Sequence, residues 1–239
     1  SPAHNLIEYI RSFKDEDELA CLAQAAAIAD KAFALLLPEI KPNISEKQLA
    51  AKLIYYIYSC GGEELSFPSI IASGTNGAFC HVMPSDKLIA DGDLITFDFG
   101  AVYRGYHSDM TRTLAVGKVN QKQKEIYSLV LEAQMAALDG LKAGLTGSQG
   151  DKLARDIIAA QGYGDNFGHS LGHGVGLEIH EYPNLAPSNN QKLAVNQVVT
   201  VEPGIYIPSW GGIRIEDTVI IKENGVEIIN EFPKDLLIL

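Results

Sequence analysis

Leu94-Ile95-Thr96-Phe97-Asp98-Phe99-Gly100 is an apolar strand with a carboxylate in its middle. Val199-Thr200-Val201-Glu202-Pro203-Gly204 repeats the pattern: apolar, Thr, apolar, acid, any residue, Gly. Downstream, Asp109-Met110-Thr111 and Glu216-Asp217-Thr218 share acid-X-Thr. Acids are poor strand formers, and an unpaired buried carboxylate is costly. One such acid reads as the wet face of a half-exposed strand. Four acids in two matching strand pairs do not, and they suggest two related halves.

Side chains alternate along a strand, so Asp98 shares a face with Thr96, and Glu202 with Thr200. A hairpin through Tyr103-Arg104-Gly105-Tyr106 would bring Asp109 back beside Asp98. A second turn near 209–212 would bring Glu216 beside Glu202. Facing carboxylates repel strongly unless a cation lies between them. Within 198–221 the one basic residue is Arg214, so metal ions are the better expectation.

The surrounding chain reads as helices and strands in long mixed blocks, an α+β domain. Apolar spacing gives helices over 15–37, 46–59, 121–141 and 146–161. Acidic Asp15 to Glu18 suit the first N-terminus, Ser45 to Gln48 forms a capping box, and Asn120 caps the third helix. Strands are expected at 69–73, 94–99, 109–116, 198–207, 212–221 and 226–229.

The 239 residues carry 19 basic and 30 acidic side chains, net −11, with 46% apolar and 21% charged residues. These are the proportions of a globular protein with a full core. The acidic balance argues against nucleic acid and against an anionic membrane surface, and no apolar run reaches the ~18 residues of a span. Cys21, Cys60 and Cys80 are odd in number and lack close spacing, which fits neither a disulfide framework nor a zinc site. A reducing cytoplasm is the expected location, and the sequon Asn43-Ile44-Ser45 is expected to be idle.

Three of the six histidines fall in Gly168-His169-Ser170-Leu171-Gly172-His173-Gly174-Val175-Gly176-Leu177-Glu178-Ile179-His180. A lone histidine is more often packed or at the surface. Three together, threaded by glycines that allow close backbone approach, point to a site. Gly168-His169-Ser170-Leu171-Gly172 also matches a serine-hydrolase elbow, but lacks the strand before it and the helix after it. His180-Glu181 does not continue into H-E-x-x-H, because residue 184 is Asn.

From Lys14 to Ile221 the sequence resembles the metallopeptidases with the pita-bread fold, peptidase family M24. These include methionine aminopeptidases, aminopeptidase P and Xaa-Pro dipeptidase (prolidase). The family's metal ligands, in order, fall on Asp98 in Asp-Phe-Gly, Asp109 in Ser-Asp-Met-Thr-Arg-Thr, and His173 in Gly-His-Gly-Val-Gly. They continue on Glu202 in Val-Glu-Pro-Gly and Glu216 in Arg-Ile-Glu-Asp-Thr. The flanks Arg-Ile-Glu-Asp-Thr and Asp-Phe-Gly-Ala-Val-Tyr-Arg-Gly-Tyr favour the Xaa-Pro branch. Methionine-type members usually show Gln-Phe-Glu-His-Thr at the last ligand.

The resemblance implies two pseudo-symmetric halves with a curved antiparallel sheet covered by helices. It implies dinuclear metal-dependent hydrolysis of Xaa-Pro bonds in short proline-containing peptides by a metal-bridging hydroxide. Glu202 takes the position of the general base. His180 and His81 stand where they would stabilise the tetrahedral species or assist the leaving amine. His81, His169, His180, Arg214 and Tyr206 take substrate-binding positions, Tyr206 as a pocket wall. Val82-Met83-Pro84 after His81 departs from the small or aromatic residue expected there. Oxygen-rich ligation with one imidazole suits hard or borderline ions, manganese first, with cobalt or zinc as alternatives. Residues 1–14 are expected to be the end of an interdomain segment or a tag. Residues 15–239 are then the single catalytic domain, without the N-terminal domain usual in this branch, and a homodimer is among the expectations. The alternatives are a methionine aminopeptidase, or a non-catalytic pita-bread peptide-binding domain. The latter usually lacks some of the ligands.

Overall fold

The computed structural model describes residues 6–239. A short helix, α1 (Leu6–Arg11), precedes the long α2 (Glu16–Leu36). Asp15 Oδ1 accepts from Glu18 N at 2.9 Å, and Glu18 Oε2 accepts from Asp15 N at 2.8 Å, so two orphan donors are satisfied reciprocally. Leu22, Ala25, Ala26, Ala29, Ala32, Phe33 and Leu36 form the buried face of α2. This alters one sequence expectation: by length and composition α2 is apolar enough to cross a membrane. Its apolar face is instead occupied by the domain's own core, where Phe33 packs on Phe97, Phe99 and Phe232.

α3 (Glu46–Ser59) opens with the expected Ser45/Gln48 capping box. Six short strands complete the first half: β1 (Glu64–Leu65), β2 (Ile70–Ser73), β3 (Leu94–Phe99), β4 (Ala101–Tyr103), β5 (Tyr106–His107) and β6 (Met110–Ala115). β2, β3 and β6 form an antiparallel sheet in that order. β4 and β5 close through Arg104 (φ 50°) and Gly105 (φ 79°), the two left-handed positions of a type I′ hairpin.

The second half contains α4 (Gln121–Gly140), α5 (Gly147–Ala160), β7 (Gly172–Gly174), β8 (Glu181–Leu185), β9 (Val198–Val201), β10 (Gly204–Ile207), β11 (Gly211–Arg214), β12 (Asp217–Lys222) and β13 (Gly225–Ile228). Its main sheet runs β13-β12-β9-β7-β8, and β10 pairs with β11 separately. Each half has its own apolar cluster.

Two expected strands are each split. The chain leaves the main sheet after Val201, where Pro203 has no N–H to offer a ladder, and resumes as β10. Likewise 212–221 divides at Ile215 and Glu216 into β11 and β12. Glu202 and Glu216 therefore sit at breaks, and the Val201↔Asp217 register sets them opposite each other. β7, a glycine-rich stretch without apolar alternation, is a strand because its neighbours demand close approach. A Cβ on Gly172 would stand 1.9 Å from the Thr200 carbonyl oxygen.

Residues 6–14, expected as a segment end or tag, dock onto the domain. Lys14 N donates to Asn196 O at 3.0 Å, Gln197 Nε2 to Ser12 Oγ at 3.0 Å, and Lys14 Nζ to Glu181 at 3.0 Å.

Arg112 ties the halves to the C-terminal segment. Fully buried, it donates to Asp217 Oδ1 at 2.7 Å, to Thr111 O at 2.9 Å, to Phe232 O at 2.6 Å and to Glu216 O. Asp217 also accepts from Gln134 and Lys234. Removing one partner of such a pair strands the other charge. Arg112→Met is expected to lower stability by roughly 3–5 kcal/mol, read from urea denaturation midpoints; an unchanged midpoint would contradict it.

Candidate metal centre

A cavity of about 580 Å³ lies between the halves and is lined by Asp98, Asp109, His173, Glu202 and Glu216. β3 carries Asp98, β7 carries His173, and the other three stand just outside the ends of β6, β9 and β12. The register Asp98↔Thr111 puts Asp98 and Asp109 on one face, two residues apart. A single bridge between Thr111 and Glu216 stitches the two halves at the site. Ligand atoms of Asp109, His173 and Glu216 lie within 4.8 Å of one another.

His173 Nδ1 lies 3.0 Å from Gly174 O, which holds a proton on Nδ1 and turns Nε2 toward the acids. Nε2 stands 3.4 Å from both Asp109 Oδ2 and Glu202 Oε1. A carbonyl on the far nitrogen is the usual support of a metal-binding imidazole. Asp98 stands apart from the compact trio, in an ion pair with Arg214 Nη2.

Burial pushes the Asp109 carboxyl up to about 6, with the Asp98 charge adding and His173 opposing. Burial likewise raises Glu202 to about 7, against the pull of His173 and with the push of Asp109. Glu216 is driven well up by burial and by Asp109, Glu202 and Asp98. Burial alone would lower His173, but Asp109 and Glu202 raise it to about 9. For the three acids burial is the main cause of the rise, and neighbouring carboxylates add to it. Asp109 Oδ1 is buried, with no hydrogen-bond partner among the described residues. Four carboxylates, one oriented imidazole and an orphan oxygen suit a pair of hard or borderline divalent cations.

Two threonines orient the acids: Thr111 of the acid-X-Thr repeat and Thr200 of the strand face that carries Glu202. Thr111 Oγ1 donates to Glu216 Oε2 at 2.5 Å and accepts from Arg214 Nε at 3.1 Å. Thr200 Oγ1 donates to Glu202 Oε1 at 3.0 Å and accepts from His173 N at 3.0 Å.

His81, His169, His180 and Arg214 line the same cavity, but Tyr206 is behind its wall. Arg214 Nη1 donates to Tyr206 Oη at 2.7 Å, and Tyr206 Oη lies 2.9 Å from His169 Nε2. His169 Nδ1 lies 2.8 Å from Ser170 O. With a neutral ring, these bonds are satisfied together when His169 is protonated at Nδ1 and accepts the tyrosine proton at Nε2. Burial lowers His169 to about 4, consistent with that neutral ring. Both nitrogens of His169 and most donors of Arg214 are thus directed into the protein. His81 and His180 are different: among the described residues neither ring nitrogen of either enters a hydrogen bond. The His180 ring packs against that of His173, centroids 4.1 Å apart and planes tilted by 47°. Gly168 to Gly172 leads into β7, not a helix, so the serine-elbow reading has no structural support.

The rim and the apolar wall were not singled out in the sequence. Glu181 gathers Lys14 and Arg11 at the mouth, holding α1 against β8. Phe67, Ile70 and Ile179 supply apolar wall. Ile70 could have been found, since its strand parity matches Asp98, its register partner.

The profile described as metallopeptidase family M24 matches residues 20–223. The chain is 47% identical over 233 residues to the Xaa-Pro dipeptidase of Pyrococcus furiosus, covering 98% of this chain and 67% of that protein. The solved Xaa-Pro dipeptidase from Bacillus anthracis superposes with a TM-score of 0.97 at 49% identity, covering 98% of this chain and 66% of that one. The X-Pro aminopeptidase from Thermotoga maritima superposes with a TM-score of 0.96 at 43% identity, with coverages of 98% and 66%. The chain spans about two thirds of the length of these relatives.

Proposed function

The chain belongs to metallopeptidase family M24 and has its pita-bread fold, and on that premise we propose that it hydrolyses Xaa-Pro bonds in short peptides. The observation that carries this reading is the convergence of Asp98, Asp109, His173, Glu202 and Glu216 on one cavity. There burial, with the neighbouring acids adding to it, holds Asp109, Glu202 and Glu216 at raised pKa. The five are proposed as ligands of two divalent ions, manganese first. Such ions supply Lewis acidity toward the scissile carbonyl and lower the pKa of a water.

The chain's own groups do the rest. Glu202, raised toward neutrality by burial, holds or passes the proton of the attacking water through Oε1 or Oε2. His180 and His81, with ring nitrogens not engaged in the protein, stabilise the carbonyl oxygen or protonate the leaving nitrogen. A prolyl nitrogen carries no N–H, so selection of the substrate rests on shape against Phe67, Ile70 and Ile179. Tyr206 acts behind the wall by holding Arg214, which in turn holds Asp98, and His169 holds Tyr206 from the cavity side. The three free cysteines suit a reducing compartment, and the cytoplasm is the proposed location.

The test is steady-state turnover of Xaa-Pro, Xaa-Pro-Xaa and Met-Ala peptides with added Mn(II) and with chelator. Metal-dependent cleavage of the proline substrates is expected. Preference for Met-Ala would promote the methionine aminopeptidase reading, and failure to take up any metal would favour a peptide binder.

A further inference from the structure

A second buried carboxylate lies outside the metal centre. Glu46, the first residue of α3, is fully buried, and its partners all come from residues 73–85. Oε1 accepts from Ser73 N and Ser73 Oγ, each at 2.7 Å, and from Asn76 Nδ2 at 3.1 Å. Oε2 accepts from Asn76 Nδ2 at 3.1 Å, Ser85 N at 3.0 Å and Ser85 Oγ at 2.6 Å. Burial opposes the charge, but the bonds from Ser85 and Ser73 hold the carboxyl below its ordinary range. The α3 backbone adds Glu46 N→Lys87 O and Lys47 N→Ser85 O, both at 3.1 Å.

The turn Gly74–Ala78 packs against β11, with Gly77 close to Gly212, but from Phe79 to Pro84 little else fixes the chain between these anchors. From Gly74 to Pro84 only Gly77 is buried, and the large apolar side chains Phe79 and Met83 are 65% and 64% exposed. A loop without buried apolar contacts belongs to the low-stability end of a structure. Yet this loop presents Cys80 and His81 to the cavity, and among the described residues its one bond to the cavity floor is Arg214 Nη1→Cys80 O at 3.4 Å.

We propose that Glu46 is a positioning residue that closes 73–85 into a loop of fixed shape and thereby aims His81 at the substrate. The link to catalysis rests on the peptidase reading above; the link to His81 orientation does not. An amide cannot replace the carboxylate. Every partner is a donor, and a glutamine NH2 would face Ser85 or Asn76 donor to donor.

Glu46→Gln is expected to lower kcat on an Xaa-Pro dipeptide by up to about 10²-fold through misplacement of His81. Its Mn(II) binding midpoint should stay unchanged, because Glu46 touches none of the five proposed ligands. In a His81→Ala background the same change should cause no further loss. The His81 ring proton resonance in NMR should shift in E46Q while that of His169 stays in place. That measurement decides the proposal even if the chain cleaves no peptide. Should E46Q fail to fold, Ser85→Ala serves with the same readouts. Losses that simply multiply in the double variant, or a His81 resonance unmoved in the folded variant, would overturn it.

Discussion

Glu216→Gln is expected to abolish metal-dependent cleavage while leaving the metal-free protein at least as stable as before. The two effects have opposite causes. Without cations, Glu216 is a buried acid facing Asp109, Glu202 and Asp98, and like charges in one cavity oppose ionisation. The amide is neutral without taking up a proton, and its oxygen can still accept from Thr111 Oγ1, which donates to Glu216 at 2.5 Å. With cations, the same change removes a ligand from the compact group of Asp109, His173 and Glu216. Loss of a supporting partner of a metal ligand already costs about 10–100-fold, so loss of the ligand should exceed about 100-fold in kcat/KM. A ligand that binds only the native state adds about 2.7 kcal/mol at a hundred times its Kd. Scanning calorimetry with and without Mn(II) should therefore show a metal-induced rise in Tm for the wild type, and little or none for Glu216→Gln. Full activity in the variant, or an undiminished metal-induced rise, would sink the ligand assignment.

That experiment isolates the feature most legible in the sequence. Asp98, Asp109, Glu202 and Glu216 were conspicuous because local rules punish acids in apolar strands. The hairpin pairings 103↔106 and 207↔211 follow from turn chemistry. What stayed hidden depends on partners far along the chain. Periodicity does not reveal that a strand changes sheets, so the breaks at Pro203 and Glu216 were read through. Gly172-His173-Gly174 carries no strand signal of its own, and its state is set by β8 and β9. Glu46 looked like an ordinary first-turn acid of a capped helix, and its six bonds reach across to another segment. Tyr206, His169 and Arg214 were read singly as pocket residues. Their mutual hydrogen bonds make them a support behind Asp98.

The second large effect is in pH. Between about pH 6 and pH 8.5 the stabilisation conferred by Mn(II) should grow steeply. A group whose folded pKa exceeds its unfolded value binds its proton more tightly when folded, so its contribution to stability is lost as pH rises between the two values. Glu202 is raised from 4.5 to about 7, chiefly by burial. His173 is raised from 6.5 to about 9, because Asp109 and Glu202 outweigh its burial. Asp109 is raised from 3.8 to about 6 by burial and the Asp98 charge. In the metal-free protein all three destabilise the fold as pH rises, Asp109 and Glu202 first and His173 up to about 9. Metal binding requires the opposite protonation of the same groups: ionised carboxylates and a neutral imidazole. Rising pH therefore weakens the metal-free fold and strengthens metal binding together. Groups away from the centre with shifts of the other sense, such as Lys14 lowered by burial, contribute alike with and without metal. They drop out of the difference. Paired melting curves in Mn(II) and in chelator across that range measure the difference directly. A metal-induced Tm shift that stays flat with pH would show that these side chains do not give up protons to bind metal, and would remove His173 and Glu202 from the ligand set.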